Sequence, residues 1–99
     1  MKEVKEVKLL QFAVPARIGA VCAESATIVA GGATLISGAW GWWTNGRGEI
    51  EREEIQWLIV GVDESQVGEV VEAIKGILRG AGESAVFYVV GSEPKLEWL

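Results

Sequence analysis

Alternating and continuous apolar runs predict four β-strands along the chain. The segment Lys5–Val14, KEVKLLQFAV, begins as an alternation and becomes apolar, which is typical of a strand that enters a core. The same patterns predict a second strand over Ala33–Thr44, a third over Glu49–Val62 and a short buried fourth over Ala85–Val90. Gly91–Pro94 predicts a turn into a short tail, because glycine and proline interrupt regular structure.

A helix is predicted after the first strand from the spacing of its apolar residues. Pro15 ends that strand and suits the first turn of a helix, and Gly31–Gly32 ends the helix. Spacings of three and four place one set of residues on its buried face: Ile18, Val21, Cys22, Ser25, Ile28 and Val29.

A second helix follows the third strand and has a clearer apolar stripe. Asp63 is its predicted N-cap, Gln66 is the residue that would complete a capping box, and Gly80 and Gly82 end it. The stripe consists of Val67, Val70, Val71, Ile74, Ile77 and Leu78.

This order of elements is that of the α+β, ferredoxin-like βαββαβ fold. We therefore predict one domain, residues 1–99, with a four-stranded antiparallel sheet and two helices on one face. The second and third strands form a long β2–β3 hairpin with its turn at Asn45–Gly46, since both residues tolerate the positive φ of tight turns. Its base is Leu35–Trp40 with Ile55–Val62, and its arm is Gly41–Glu54, which is predicted to extend into solvent.

The predicted sheet is apolar on both faces. In the third strand, Trp57 and Ile59 alternate with the equally apolar Leu58 and Val60. The helices can cover only one of these faces, and another copy of the chain is the simplest cover for the other. The pattern therefore predicts a homo-oligomer.

Composition narrows the range of partners. The chain has 99 residues, of which 49% are hydrophobic and 23% charged, as in globular proteins. Its net charge of −5 argues against nucleic acid as a partner, because binding nucleic acid needs a basic surface. No apolar stretch approaches the roughly 18 to 20 residues of a spanning helix, so no membrane insertion is predicted. The single cysteine, Cys22, is compatible with a reducing compartment, and we expect a cytoplasmic protein.

The sequence contains no arrangement typical of a catalytic site. Histidine, the commonest general base and transition-metal ligand, is absent, so we predict a protein that is not an enzyme and has no cofactor. Cys22 lies on an apolar helical face and is predicted to be a buried, inert thiol. The carboxylates Glu49, Glu51, Glu53 and Glu54 suit either a solvated edge with intersubunit salt bridges or an oxygen-only site for Mg²⁺ or Ca²⁺.

Six residues are candidates for ligand binding. The guanidinium groups of Arg17, Arg47 and Arg52 match the geometry of carboxylates and phosphates. Gly41, Trp42 and Trp43 lie on the second strand, where indole rings can form a platform for a planar ligand or a partner. The alternative for the tryptophans, including Trp40 and Trp57, is packing across the hairpin and between subunits.

Several segments resemble the PII/CutA-like superfamily, which contains the nitrogen-regulatory PII-like proteins and the CutA divalent-ion-tolerance proteins. Gly31–Gly38, Gly48–Glu51 and the tail Pro94–Leu99 are similar to the CutA pattern. Val62–Ile74 is similar to the strand and helix of PII proteins. The resemblance implies a compact homotrimer whose sheets face inward, with ligand clefts between neighbouring subunits.

The sequence departs from the PII pattern in two places. The turn Asn45–Gly46 replaces the long signalling loop of PII proteins, and Gly80–Ser84 carries an acidic residue where their phosphate-binding loop has a cation. The expected function is a non-enzymatic trimer that binds a small anion or nucleotide between subunits, with a regulatory or signalling role. The alternatives are a structural or protein-interaction module without a ligand, and a dimeric ferredoxin-like enzyme.

Overall fold

The structure, a computed structural model, describes residues 3–99, so Met1 and Lys2 of the predicted domain lie outside it. Five strands and two α-helices make up the fold. They are β1 (Lys8–Pro15), α1 (Gly19–Ala30), β2 (Thr34–Thr44), β3 (Ile50–Val62), α2 (Val67–Gly80), β4 (Ala85–Val90) and β5 (Glu93–Trp98). Each helix is preceded by a 3-10 turn, Ala16–Ile18 before α1 and Glu64–Gln66 before α2.

The strands form one sheet in the order β2-β3-β1-β4-β5, and every neighbouring pair is antiparallel. The first four strands with the two helices give the predicted βαββαβ order, but the predicted strand count of four is wrong. The tail does not leave the domain after β4. It turns at Gly91, where φ is 64°, and pairs with β4 as a fifth strand.

Side-chain contacts hold β5 in place. Glu97 accepts a hydrogen bond from the hydroxyl of Tyr88 and lies 2.6 Å from Nζ of Lys75 on α2. These partners lower the pKa of Glu97, with the Lys75 hydrogen bond as the main cause. Pro94 is tolerated in β5 because β5 is an edge strand, where one backbone N–H need not be donated. The tail therefore forms a hairpin with the neighbouring β4, and the contact of Glu97 with Lys75 ties this hairpin to α2.

The core lies between the helices and one face of the sheet. Alternate residues of each strand point towards it because side chains alternate across a strand. The buried apolar residues are Leu10, Phe12, Val14, Cys22, Ala26, Leu58, Val60, Val62, Val70, Val71, Ile74, Leu78, Val86 and Tyr88. The strand registers align these side chains in rows, with Phe12 between Leu58 and Tyr88.

Helix α1 packs on the core through only part of the predicted face, of which Ile18 and Val29 pack against the core as predicted. Cys22 is buried as expected, but Val21 and Ile28 are 52% and 87% exposed. Gly19 and Ala26 are buried with Cys22. Gly19 and Ala26 were left out of the predicted face because glycine and alanine have little weight in an apolar pattern. The helix ends at Gly31, whose φ of 89° gives the left-handed cap that glycine favours.

The capping box predicted at the start of α2, with Asp63 and Gln66, does not form. The Asp63 side chain makes no capping hydrogen bond; its Oδ2 lies 3.1 Å from Nζ of Lys5. The Gln66 side chain donates instead to the backbone carbonyl of Val29, at 3.2 Å. Partners elsewhere in the chain therefore replace the predicted capping box at the start of α2.

The hairpin turn is at the predicted place, but its backbone conformation and hydrogen bonds differ from those predicted. Neither Asn45 nor Gly46 has a positive φ; Gly48 does, at 75°. The side-chain Oδ1 of Asn45 accepts hydrogen bonds from the backbone N–H groups of Arg47 and Glu49, at 2.9 and 3.1 Å. The loop is thus closed by an asparagine side chain and a left-handed glycine, so its geometry is wider than a two-residue turn.

The hairpin has the predicted base and arm. The pairing of β1 with β3 ends at Pro15 and Ile55, so residues 50–54 pair with β2 alone. The arm is therefore a two-stranded ribbon, which makes the molecule long, at 57 × 24 × 24 Å. Across residues 3–99, no helix has the length and apolar character needed to cross a membrane.

Candidate functional site

The face of the sheet opposite the helices is an exposed apolar surface, which we call the open face. Its outward residues come from positions that alternate with the core positions of each strand. The exposed large apolar residues on it are Leu9, Ile36, Phe87, Leu96 and Trp98. The prediction that the sheet is apolar on both sides is therefore confirmed.

A cavity of about 540 Å³ opens at one end of this face. It lies where the root of the hairpin arm meets the loop after α2 and the adjoining parts of β4 and β5. The arm contributes Gly41, Trp42, Trp43 and Glu53, and the loop contributes Gly82–Ser84. Trp57, Phe87 and Leu96 form the part that belongs to the open face. Its volume falls within the range of ordinary small-molecule sites.

Trp57 forms a fixed wall of the cavity. Its indole Nε1 donates to the side-chain Oε1 of Gln11 at 3.0 Å, which satisfies its polar edge. Its ring lies against Phe87, with 6.3 Å between ring centroids and a tilt of 33°. Trp57 pairs across the hairpin with Ile36 and not with another tryptophan. The orientation of this wall is therefore set by neighbours on three strands.

Two carboxylates and one guanidinium set the electrostatics of the cavity. Glu53 and Glu83 both line it, and NH2 of Arg17 lies 3.2 Å from Oε2 of Glu83. The same NH2 group donates to the carbonyl of Ala81 at 3.4 Å. The pKa of Glu53 is raised, first because burial desolvates the carboxylate and second because Glu83 is negative, while Arg17 opposes the shift.

The structure brings together only some of the six predicted ligand residues. Gly41, Trp42 and Trp43 line the cavity, and Arg17 lies beside it in its contact with Glu83. The other two arginines lie on the arm. Arg47 is in the exposed turn at the tip, and the guanidinium of Arg52 lies 5.0 Å from the ring centroid of Trp40.

The carboxylates of the hairpin arm differ in their burial. Glu53 is half-buried in the cavity wall, whereas Glu49, Glu51 and Glu54 are exposed. Within residues 3–99 there is no group of three or more acidic, cysteine or histidine side chains placed to hold a metal ion.

Cys22 lies in the hydrophobic core. It is buried among core residues of α1 and the sheet. Burial raises the pKa of its thiol to about 11, so the thiol stays protonated at neutral pH. The prediction of a buried thiol is confirmed.

Sequence reasoning missed Glu83, Phe87 and Leu96 as cavity residues. The signal for Phe87 was present, because the alternation in AVFYVV places it opposite the buried Val86 and Tyr88. Leu96 was missed because β5 was predicted as a tail. Glu83 was noted only as a departure from a phosphate-binding loop, and its contact with Arg17 depends on the packing of α2 beside β1.

Comparison with known proteins rests on structure alone, because no family model matches the chain and no curated protein matches it. The structure resembles CutA from the plant-pathogenic bacterium Xylella fastidiosa with a TM-score of 0.55 and 18% identity, over 74% of this chain and 72% of that one. It resembles the divalent ion tolerance protein CutA1 from Ehrlichia chaffeensis with a TM-score of 0.51 and 14% identity, over 89% and 83% of the two chains. The chain has the fold of these CutA proteins.

Proposed function

We propose that this chain is a non-enzymatic, cytoplasmic protein that assembles as a homotrimer and binds a small ligand in clefts between subunits. Its role would be regulatory, with ligand occupancy altering the surface formed by the hairpins. The observation that carries the proposal is the open face, a broad apolar surface on a chain of only 99 residues. Exposed apolar surface of this kind marks an interaction site in a folded protein.

The chemistry of the open face favours a second copy as its cover. Outward positions of β1, β4, β5 and the base of β3 are uncharged; they are Leu9, Gln11, Ala13, Ile55, Trp57, Ile59, Gly61, Ala85, Phe87, Val89, Pro94, Leu96 and Trp98. The net charge of −5 is thus carried elsewhere. Identical faces can meet without opposing like charges, which is what a homo-oligomer requires.

An anion or nucleotide is the ligand class that the arginines favour. In one chain Arg17 contacts Glu83 and Arg52 lies over Trp40, while Arg47 is at the tip of the arm. A site that combines them needs arginines from neighbouring subunits, because no single chain brings them together. The proposed cleft therefore lies where the arm of one subunit reaches another.

Size-exclusion chromatography with multi-angle light scattering tests the assembly. We expect a mass three times that of one chain, maintained on dilution through the micromolar range, because the apolar open face would be buried. A monomer would contradict the proposal, and a stable dimer would favour the ferredoxin-like enzyme instead.

A module without a ligand is the second candidate function. It is favoured by the fact that Trp57 and Phe87 belong to the open face as well as to the cavity. Thermal unfolding with nucleotides, bicarbonate, carboxylates and divalent metal ions separates the two, since a ligand specific for the native state raises the melting temperature. We expect at least one anion to raise it by several degrees; no shift with any of them would favour the module.

A further inference from the structure

The cavity beside the hairpin has walls that suit a positively charged organic group. Trp43, Trp57 and Phe87 are among its lining residues, and the strand registers place their side chains on the same side of the sheet as Glu53. The face of an aromatic ring is negative, and it attracts an ammonium ion within about 6 Å of its centroid. Arg52 makes such a contact with Trp40 elsewhere on the same arm.

The charged residues around the cavity also favour a positively charged ligand. Glu53 and Glu83 line the cavity, and no lysine or arginine is among the lining residues in the described part of the chain. Arg17 is the cation beside these carboxylates, and its NH2 group donates to Glu83 and to the carbonyl of Ala81. Arg17 also acts on Glu53, so the two carboxylates and this one guanidinium together leave a net charge of −1 in a partly desolvated site.

A metal ion fits this arrangement poorly. Hard divalent cations take about six or more oxygen ligands, whereas the walls here are mainly aromatic and aliphatic. Residues 3–99 contain no cluster of three metal-binding side chains. An anion fits poorly too, because it would meet Glu53 and would have to displace Glu83 from Arg17.

We propose that the cavity formed by Trp43, Trp57, Phe87 and Glu53 binds a small organic cation, a substituted ammonium ion that carries an apolar or aromatic group. The ammonium group lies against the indole faces and near the Glu53 carboxylate, and the apolar group occupies the side formed by Phe87 and Leu96. All of these residues come from one chain. The site is therefore complete within one subunit and distinct from the anion cleft proposed between subunits, and it requires that the trimer leave this end of the open face uncovered.

Isothermal titration calorimetry with benzyltrimethylammonium chloride tests this site at fixed ionic strength. We expect one probe molecule per chain, and binding at least about tenfold tighter than that of benzoate or of the neutral benzyl alcohol, because both lack the cation–π and ion-pair contributions. Glu53→Gln is expected to weaken binding about tenfold through loss of the carboxylate charge. Trp43→Leu keeps an apolar wall, but it removes an indole and should also weaken binding.

The matched control is Glu51→Gln, which makes the same change in net charge on the same strand at an exposed position outside the cavity. It should bind the probe like the unmodified chain. Equal affinities of Glu53→Gln and Glu51→Gln, benzoate binding as tight as that of the cation, or no binding of the probe would each overturn the inference. Binding that occurs only after dilution to single chains would also overturn it, since a neighbouring copy would then occupy the cavity. Far-UV circular dichroism confirms that each variant is folded.

Discussion

Replacing Phe12 with alanine is expected to lower the free energy of unfolding by about 3–5 kcal/mol, the largest effect of any single truncation considered for this chain. Phe12 is fully buried in β1, the central strand, and pairs with Leu58 of β3 and Tyr88 of β4. Its ring stacks on that of Tyr88 with 5.5 Å between centroids. Truncation removes this contact and leaves a cavity that the two neighbouring strands cannot close.

Urea unfolding at one fixed protein concentration, followed by circular dichroism, measures this change. The matched control is Ile28→Ala, which shortens a large apolar residue that is 87% exposed on α1. The control should alter the free energy of unfolding by no more than about 0.5 kcal/mol, as surface substitutions usually do. A loss below about 1 kcal/mol for Phe12→Ala would contradict the packing of the core described above.

Replacing Ile36 with glutamate is expected to weaken self-association at least about a hundredfold, equivalent to about 2.7 kcal/mol. Ile36 is 48% exposed on the open face, opposite Trp57 and outside the cavity. In a single chain the new carboxylate can stay in water, so the fold should survive. In an assembly that covers the open face, each subunit would bury a carboxylate without a partner, at a cost of several kcal/mol.

Sedimentation velocity over a range of concentrations gives the association state of this variant. Ile28→Glu is the matched control, because it makes the same substitution on the outer side of α1, away from the open face. We expect the control to assemble like the unmodified chain while Ile36→Glu dissociates at micromolar concentration. An intact trimer of Ile36→Glu would show that the open face around this residue is not the interface.

The element order was predictable because each strand and helix has its own periodicity. The run from Ile55 to Val62 and the stripe of α2 both read directly from the sequence. The predicted boundaries of the elements were less accurate than their order. Strand β1, for example, begins at Lys8 and not at Lys5. The face of α1 was predicted only in part, because the buried residues that were missed, Gly19 and Ala26, are small and have little weight in an apolar pattern.

The candidate site was only half predictable for a related reason. Gly41, Trp42 and Trp43 lie close together along one strand, so their position on the hairpin could be inferred without tertiary structure. Glu83 and Leu96 reach the cavity from the loop after α2 and from β5. These residues are distant from the arm in sequence, and no local spacing rule connects them to Glu53.

The sequence by itself determined the order of the elements, the two apolar faces of the sheet and the place of the hairpin turn. These follow from local periodicity and from the conformational preferences of glycine and asparagine, which act within a few residues. The tertiary structure alone decided that the tail forms β5, through Glu97 with Tyr88 and Lys75, and that Arg17 contacts Glu83. Apart from Tyr88, which reaches Glu97 within the β4–β5 hairpin, these partners lie far apart in the chain, so their contacts depend on the packing of the whole domain.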